Sequence, residues 1–339
     1  MTREGRADAD RAAVLQLLRD ADRFVTVTHE HPDGDAIGSL IAATRALRAL
    51  GKDVVALVAP SDLPLSREYA GLVTVELGSA VPADLEDRIA LVLDCGNLDR
   101  MVVPGLLDGP VRPRRTVNVD HHHDNTRFAD INFVDATASS TVEILWELFQ
   151  DLGVPLDRET AEALYVGLVT DTGRFMYQNT RQRSHEMAVD LLAAGAQPFP
   201  LYRTLFEEVP WSKLALLSRA LDHVRIDADA QITFAWLSRR DFAETGADNS
   251  ESEGIIDHLR TVEGTRVAVL AREISADDPD DPVRTKVSLR SVRDDVDVSA
   301  IARAGGGGGH PQAAGFNTTM GEDELLAFLR AELRAATPA

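Results

Sequence analysis

Four short stretches of the 339-residue chain concentrate side chains able to bind a cation or move a proton. His29-Glu30-His31-Pro32-Asp33-Gly34-Asp35 sets a histidine and two aspartates at the spacing HxxxDxD. Asp94 closes the apolar run 89–93 (IALVL), and Asp120-His121-His122-His123 closes the run 116–119 (TVNV). Asp171 lies in Val169-Thr170-Asp171-Thr172-Gly173. Singly, each has a plain structural reading: an aspartate after a strand caps a helix or a turn, and a histidine pair is as often a surface or core feature as a ligand. In conjunction they point to one site. Several carboxylates brought together would repel one another and raise one another's pKa values. A pair of divalent cations removes that problem. Oxygen and imidazole donors without thiolate suit manganese, magnesium or another octahedral ion better than structural zinc, and Asp94 is placed to bridge two ions. His185, His223 and His258 lack such company, and Glu30, His31 and His123 adjoin the motifs without a ligand role.

The elements around these stretches predict how they meet. Residues 24–28 (FVTVT), 53–58, 89–93 and 116–119 read as strands, and 37–50, 140–152, 158–169 and 184–194 as helices. Strands alternating with helices predict an α/β fold with a doubly wound, mostly parallel sheet. Ligands in such a sheet bind beyond the carboxyl ends of the strands, where three of the four stretches fall. Pro32 and Gly34 favour a tight turn that lets His29, Asp33 and Asp35 converge. After Gln197-Pro198-Phe199-Pro200 the pattern changes. A helix at about 211–224 leads into strands 232–237, 266–272 and 286–292 and helices 255–260, 298–304 and 322–335, a smaller α+β domain. The expected division is 1–195, a linker 196–212, and 213–339.

Composition narrows the function. The 55 acidic and 35 basic residues give a net charge of −20, against tracking along a long nucleic-acid duplex but compatible with a short nucleotide held locally. Only Lys52, Lys213 and Lys286 among the cations are lysines, which reads as genomic base composition. The single cysteine, Cys95, excludes an internal disulfide framework and reads as an inert thiol at a strand end. No apolar stretch is long enough to span a bilayer, and the charged MTREGRADAD start lacks the apolar core of a signal peptide, so a soluble cytoplasmic protein without membrane contact is expected.

HxxxDxD, strand-end Asp94, the DHH of residues 120–122 and the TDTG of 170–173, in this order, resemble the four metal motifs of the DHH phosphoesterase superfamily. The resemblance implies one manganese on His29, Asp33 and Asp94 and another on Asp35, Asp94, His121 and Asp171, with Mg2+ or Co2+ as other candidate ions. It implies that His122 faces the substrate phosphate, as a contact or as proton donor to the leaving group, with Asp94 and His122 as the catalytic residues.

The second half carries its own signature. Gly307-Gly308-Gly309-His310-Pro311-Gln312-Ala313-Ala314-Gly315 resembles the GGGHxxAAG motif of DHHA1 domains. Alone, five glycines at 305–309 read as a flexible linker. Here a helical pattern runs up to them, His310 and the small residues carry on from them, and successive glycine N–H groups can cradle an anion. Arg290 lies on a strand opposite Val287 and Leu289, a solvated edge charge by pattern alone. In related DHHA1 domains an arginine here contacts phosphate, so the resemblance implies that Arg290, Gly307, Gly308, Gly309 and His310 bind substrate.

Within the superfamily the two-domain layout resembles the nanoRNase/pAp phosphatase group. The implied function is manganese-dependent hydrolysis of short oligoribonucleotides and 3′-phosphoadenosine 5′-phosphate (pAp) by two-metal activation of water, in a homodimer. The alternative is a phosphodiesterase of cyclic di-AMP or pApA with the same site. A non-catalytic nucleotide-binding scaffold is the remaining reading, and every expected ligand position being filled weighs against it.

Overall fold

The computed structural model describes residues 3–65, 67–274, 284–292, 295–309 and 311–335. The chain divides into two compact units, Met1–Glu208 and Val209–Ala339.

The first unit holds strands β1 (Arg23–Thr28), β2 (Asp53–Leu57), β3 (Leu77–Gly78), β4 (Ile89–Leu93), β5 (Arg115–Asp120) and β6 (Ile131–Val134). Its helices are α1 (Arg3–Asp20), α2 (Gly34–Ala49), α3 (Arg67–Ala70), α4 (Thr141–Leu152), α5 (Arg158–Asp171), α6 (Gln182–Ala193) and α7 (Pro198–Phe206). The strands form one sheet in the order β3-β2-β1-β4-β5-β6, every pair parallel. Parallel strands are buried on both faces, which is why β4 is apolar throughout and wholly buried. Phe24, Leu91 and Val117 face a core shared with α2, α4, α5 and α6. Val25, Val27 and Val92 face a second core closed by Leu85, Val103 and Leu106. The chain passes from β1 to β2 on one side, whereas β4 joins β1 on the other. The crevice between the carboxyl ends of β1 and β4 is therefore a topological switch point, where open α/β sheets bind ligands.

The second unit is a mixed sheet in the order β11-β12-β10-β9-β8-β7. Its strands are β7 (Arg225–Asp227), β8 (Ile232–Leu237), β9 (Val267–Ile274), β10 (Arg284–Ser291), β11 (Gly308–Gly309) and β12 (Ala313–Thr318), with helices α8 (Trp211–Asp222), α9 (Arg239–Thr245), α10 (Ile255–Leu259), α11 (Val298–Ala304) and α12 (Glu322–Ala335). Val287, Leu289 and Phe316 pack under α11 and α12, and Ala268 and Leu270 pack under α8 and α10.

The glycine run is a tight hairpin, not a spacer. Gly308 pairs with Gly315 and Gly309 with Ala314. A Cβ on Gly307 would lie 2.1 Å from the Gly315 carbonyl oxygen, and Gly309 has φ 136. Ala313 to Gly315 follow the turn as strand, where Ala313 sits opposite Arg290. The run and Arg290 thus share one end of this sheet. His310 lies outside the described residues. Within the stretch 196–212, Pro198 starts α7: a proline at the first helical turn loses no intrahelical hydrogen bond.

Candidate metal centre

The fold collects the four stretches at the carboxyl edge of the first sheet. His29 follows β1, Asp94 follows β4, and Asp120 ends β5 with His121 and His122 behind it. Asp33 caps α2, accepting from the N–H groups of Asp35 and Ala36 at 3.1 Å, so the helix starts at Gly34 rather than near residue 37 and Asp35 lies in its first turn. Asp171 is the last residue of α5, which packs along α2. Asp94 adopts φ 54, a left-handed conformation that aspartate tolerates, and its N–H still bonds the Val119 carbonyl.

Two donor groups result, one around His29 and one around His121, and His122 falls in a third cluster with Asp94 and His121. His29 Nε2 lies 3.8 Å from Asp94 Oδ2, and Asp33 completes a cluster with both. His121 Nε2 lies 3.5 Å from Asp171 Oδ2, 3.7 Å from Asp94 Oδ1 and 3.8 Å from Asp35 Oδ2. Donors about 2.1 Å from one octahedral cation are separated by about 3.0 Å when adjacent and about 4.2 Å when opposite, so these spacings fit a shared divalent ion. Asp94 offers one oxygen to each group.

The electrostatics without cations are strained. Burial, reinforced by the charges of Asp94, Asp171 and Asp33, pushes the Asp35 carboxyl well above its usual range. Burial also pushes Asp171 up to about 7; His121 opposes this, and Asp33 and Asp94 add to it. Burial would raise Asp94 too, but His29, His122 and His121 around it hold it below the usual range. Burial disfavours charge on His122, yet a 2.7 Å hydrogen bond from Nδ1 to Asp120 Oδ1 and the nearby Asp94 raise it to about 9.

The DHH family N-terminal domain model matches residues 23–168, and the DHHA1 domain model matches residues 229–335. The "Bifunctional oligoribonuclease and PAP phosphatase NrnA" of Thermus thermophilus is 32% identical over 335 residues, covering 95% of this chain and 94% of that one. The chain belongs to the DHH family. Among solved structures, an exopolyphosphatase-related protein from Bacteroides fragilis aligns with TM-score 0.82 at 24% identity over 97% of this chain and 96% of its own. RecJ from Thermus thermophilus in complex with Mn2+ aligns with TM-score 0.55 at 16% identity, over 97% of this chain and 54% of that one. Both show the shared fold.

In this DHH protein the site is supported by residues to which the sequence assigns no role. Asp120, fully buried, accepts from the His121 N–H and from His122 Nδ1 through Oδ1, and from Asn125 Nδ2 through Oδ2. The first aspartate of the motif therefore orients the ring of His122. His29 Nδ1 lies 2.7 Å from the Glu30 carbonyl oxygen and 2.8 Å from Arg100 Nη2. A ring that ligates through Nε2 carries its proton on Nδ1 and donates it to Glu30, which leaves Arg100 for another acceptor. Asp120 was legible as part of a motif; Arg100 carried no spacing signal. Cys95 is buried, its thiol pushed up to about 12 by that burial, consistent with an inert group. No helix among the described residues is long and apolar enough to cross a membrane.

The raised carboxyls give the cation-free protein a definite pH dependence. A native pKa near 7 for Asp171, against 3.8 when unfolded, means the folded state holds the proton longer. Stability then falls as pH rises from about 4 towards 7. Melting of chelator-treated protein should show this fall, and Asp171→Asn, which cannot ionise, should make it shallower, with Asp35 and His122 supplying what remains. Parallel curves for parent and variant would show that Asp171 titrates normally.

Proposed function

We propose that this phosphate-ester hydrolase cleaves short oligoribonucleotides and dephosphorylates pAp, using two divalent cations, manganese the first candidate, held by His29, Asp33, Asp35, Asp94, His121 and Asp171. The observation that carries the reading is the splitting of Asp94: Oδ2 turns to the His29 group and Oδ1 to the His121 group. Divalent cations bound there would acidify water and neutralise charge on the phosphoryl group. The chain's own residues supply the rest. Asp120 fixes Nδ1 of His122 as the protonated nitrogen, so the ring presents Nε2 towards a phosphate or a departing hydroxyl. In the second unit, the forked guanidinium of Arg290 offers donors for a phosphate or a base edge, beside the hairpin of Gly307, Gly308 and Gly309, whose missing side chains let a ligand approach the backbone. His310 belongs to the same motif.

The 32% identical relative named for oligoribonuclease and PAP phosphatase activity supports this substrate class, and the Mn2+ in the similarly folded RecJ supports the ion. The net charge of −20 favours short substrates over long duplexes. A side-by-side turnover assay with Mn2+ tests the reading on pAp, pApA, di- to tetranucleotides, cyclic di-AMP and inorganic pyrophosphate. The expected result is kcat/KM on pAp or a short oligonucleotide at least about tenfold above the other two classes. Preference for cyclic di-AMP would reassign the substrate, and preference for pyrophosphate would overturn the nucleotide reading.

A further inference from the structure

We propose that Thr141 is the positioning residue that sets Asp35 and Asp94 relative to one another, and that its hydroxyl is the part that matters. The inference rests on the divalent-cation reading above.

Thr141 is fully buried and opens α4. Its backbone N–H donates to Asp35 Oδ2 at 2.6 Å, and the next N–H, of Val142, donates to Asp35 Oδ1 at 3.0 Å. The positive end of the helix therefore holds the Asp35 carboxylate by both oxygens. The Thr141 hydroxyl donates to Asp94 Oδ1 at 2.9 Å. One residue thus grips an aspartate from α2 and an aspartate from the end of β4. The two oxygens it touches, Asp35 Oδ2 and Asp94 Oδ1, are the same two that flank His121 Nε2 at 3.8 and 3.7 Å. With one acceptor direction on each oxygen taken by Thr141, a further direction is left for a cation in that space.

The grip is stiff. A β-branched side chain at a helix start has few χ1 options, so the hydroxyl keeps its direction relative to the N–H. The turn before α4 is also anchored. Ser139 and Ser184 donate to the buried Glu143 carboxylate, and Asn179 Nδ2 donates to the Ser139 and Asp171 carbonyls. Asn179 therefore ties the start of α4 to the end of α5, where Asp171 sits. A hydrogen bond to a metal-ligating carboxylate fixes which lone pair faces the ion, and removing such a partner lowers metal affinity or activity about 10–100-fold.

Thr141→Val keeps the shape and both backbone donors and removes only the hydroxyl. Thr141→Ser keeps the hydroxyl and removes a methyl. Chelator-stripped parent and variants are titrated with Mn2+ by calorimetry, and kcat and KM are measured on pAp. The expected result is a 10–100-fold loss of Mn2+ affinity in Thr141→Val, with lower kcat and KM within about twofold, and recovery to within about threefold of the parent in Thr141→Ser. Should Thr141→Val fail to fold, Thr141→Ala set against Thr141→Ser makes the same comparison. Equal Mn2+ affinity in parent and Thr141→Val, or equal impairment in Thr141→Val and Thr141→Ser, overturns the assignment while leaving the cation reading in place. A parent that binds no Mn2+ overturns both.

Discussion

Asp94→Asn is expected to lower kcat/KM by at least about a thousandfold, some 4 kcal/mol of transition-state stabilisation, while the protein stays folded. The carboxylate is buried, carries negative charge below its usual pKa range, and is shared between two donor groups. An amide has the same shape. It keeps an oxygen to accept from the Thr141 hydroxyl, and asparagine tolerates the left-handed backbone at φ 54. What it loses is the charge and the second anionic oxygen, so one atom set can no longer serve both groups. Chelator treatment of the parent should give the same loss, and Mn2+ should restore the parent but not the variant. Steady-state kinetics on pAp, with thermal melting as the control for folding, checks this. Activity within tenfold of the parent would mean that the bridging position is not catalytic. Asp94→Ala is the poorer test, because alanine at a positive φ adds backbone strain to the loss of function.

The candidate ligands were legible because their types are costly anywhere else. Aspartates and histidines at strand ends announce themselves when four such stretches occur in order, and the structure brings His29, Asp33, Asp35, Asp94, His121 and Asp171 to one edge. Strand β4 was legible because five consecutive apolar residues have few other homes. Thr141 was not, since a threonine after Ser139-Ser140 reads as an ordinary helix start, and only the fold shows which aspartates lie in front of it. Helix α1 was missed because its charges dominate the composition, although Val14 and Leu18 bury a stripe against the core. Helix α7 was hidden by Pro198 and Pro200, which read as breakers inside a linker. Strand β6 is four residues long, too short for its alternation to stand out.

Glycines illustrate the same limit and lead to the second large effect. Gly38→Ala should destabilise the protein by about 2–3 kcal/mol and weaken Mn2+ binding with it. In a solvent-exposed helix the same change gains about 1 kcal/mol, so sequence alone gives the wrong sign. Gly38 lies in the second turn of α2, against α5. A Cβ there would sit 2.5 Å from the Ala163 carbonyl oxygen and 3.1 Å from the Gly167 nitrogen. Both are backbone atoms, which cannot swing aside as a side chain can. The facing Gly167 is equally constrained: its Cβ would come within 2.8 Å of Asp35 Oδ1. The helices must therefore separate, and they carry Asp35 and Asp171, which flank His121 Nε2 from opposite elements. Widening that gap takes one donor away from the others, so stability and cation affinity fall together. Chemical denaturation of the cation-free protein and Mn2+ calorimetry measure the two losses separately. A Gly38→Ala protein as stable as its parent would show that α2 and α5 have room to spare. A destabilised one with unchanged Mn2+ affinity would show that the donor positions are held by the strand ends and the start of α4, independently of how closely the two helices approach.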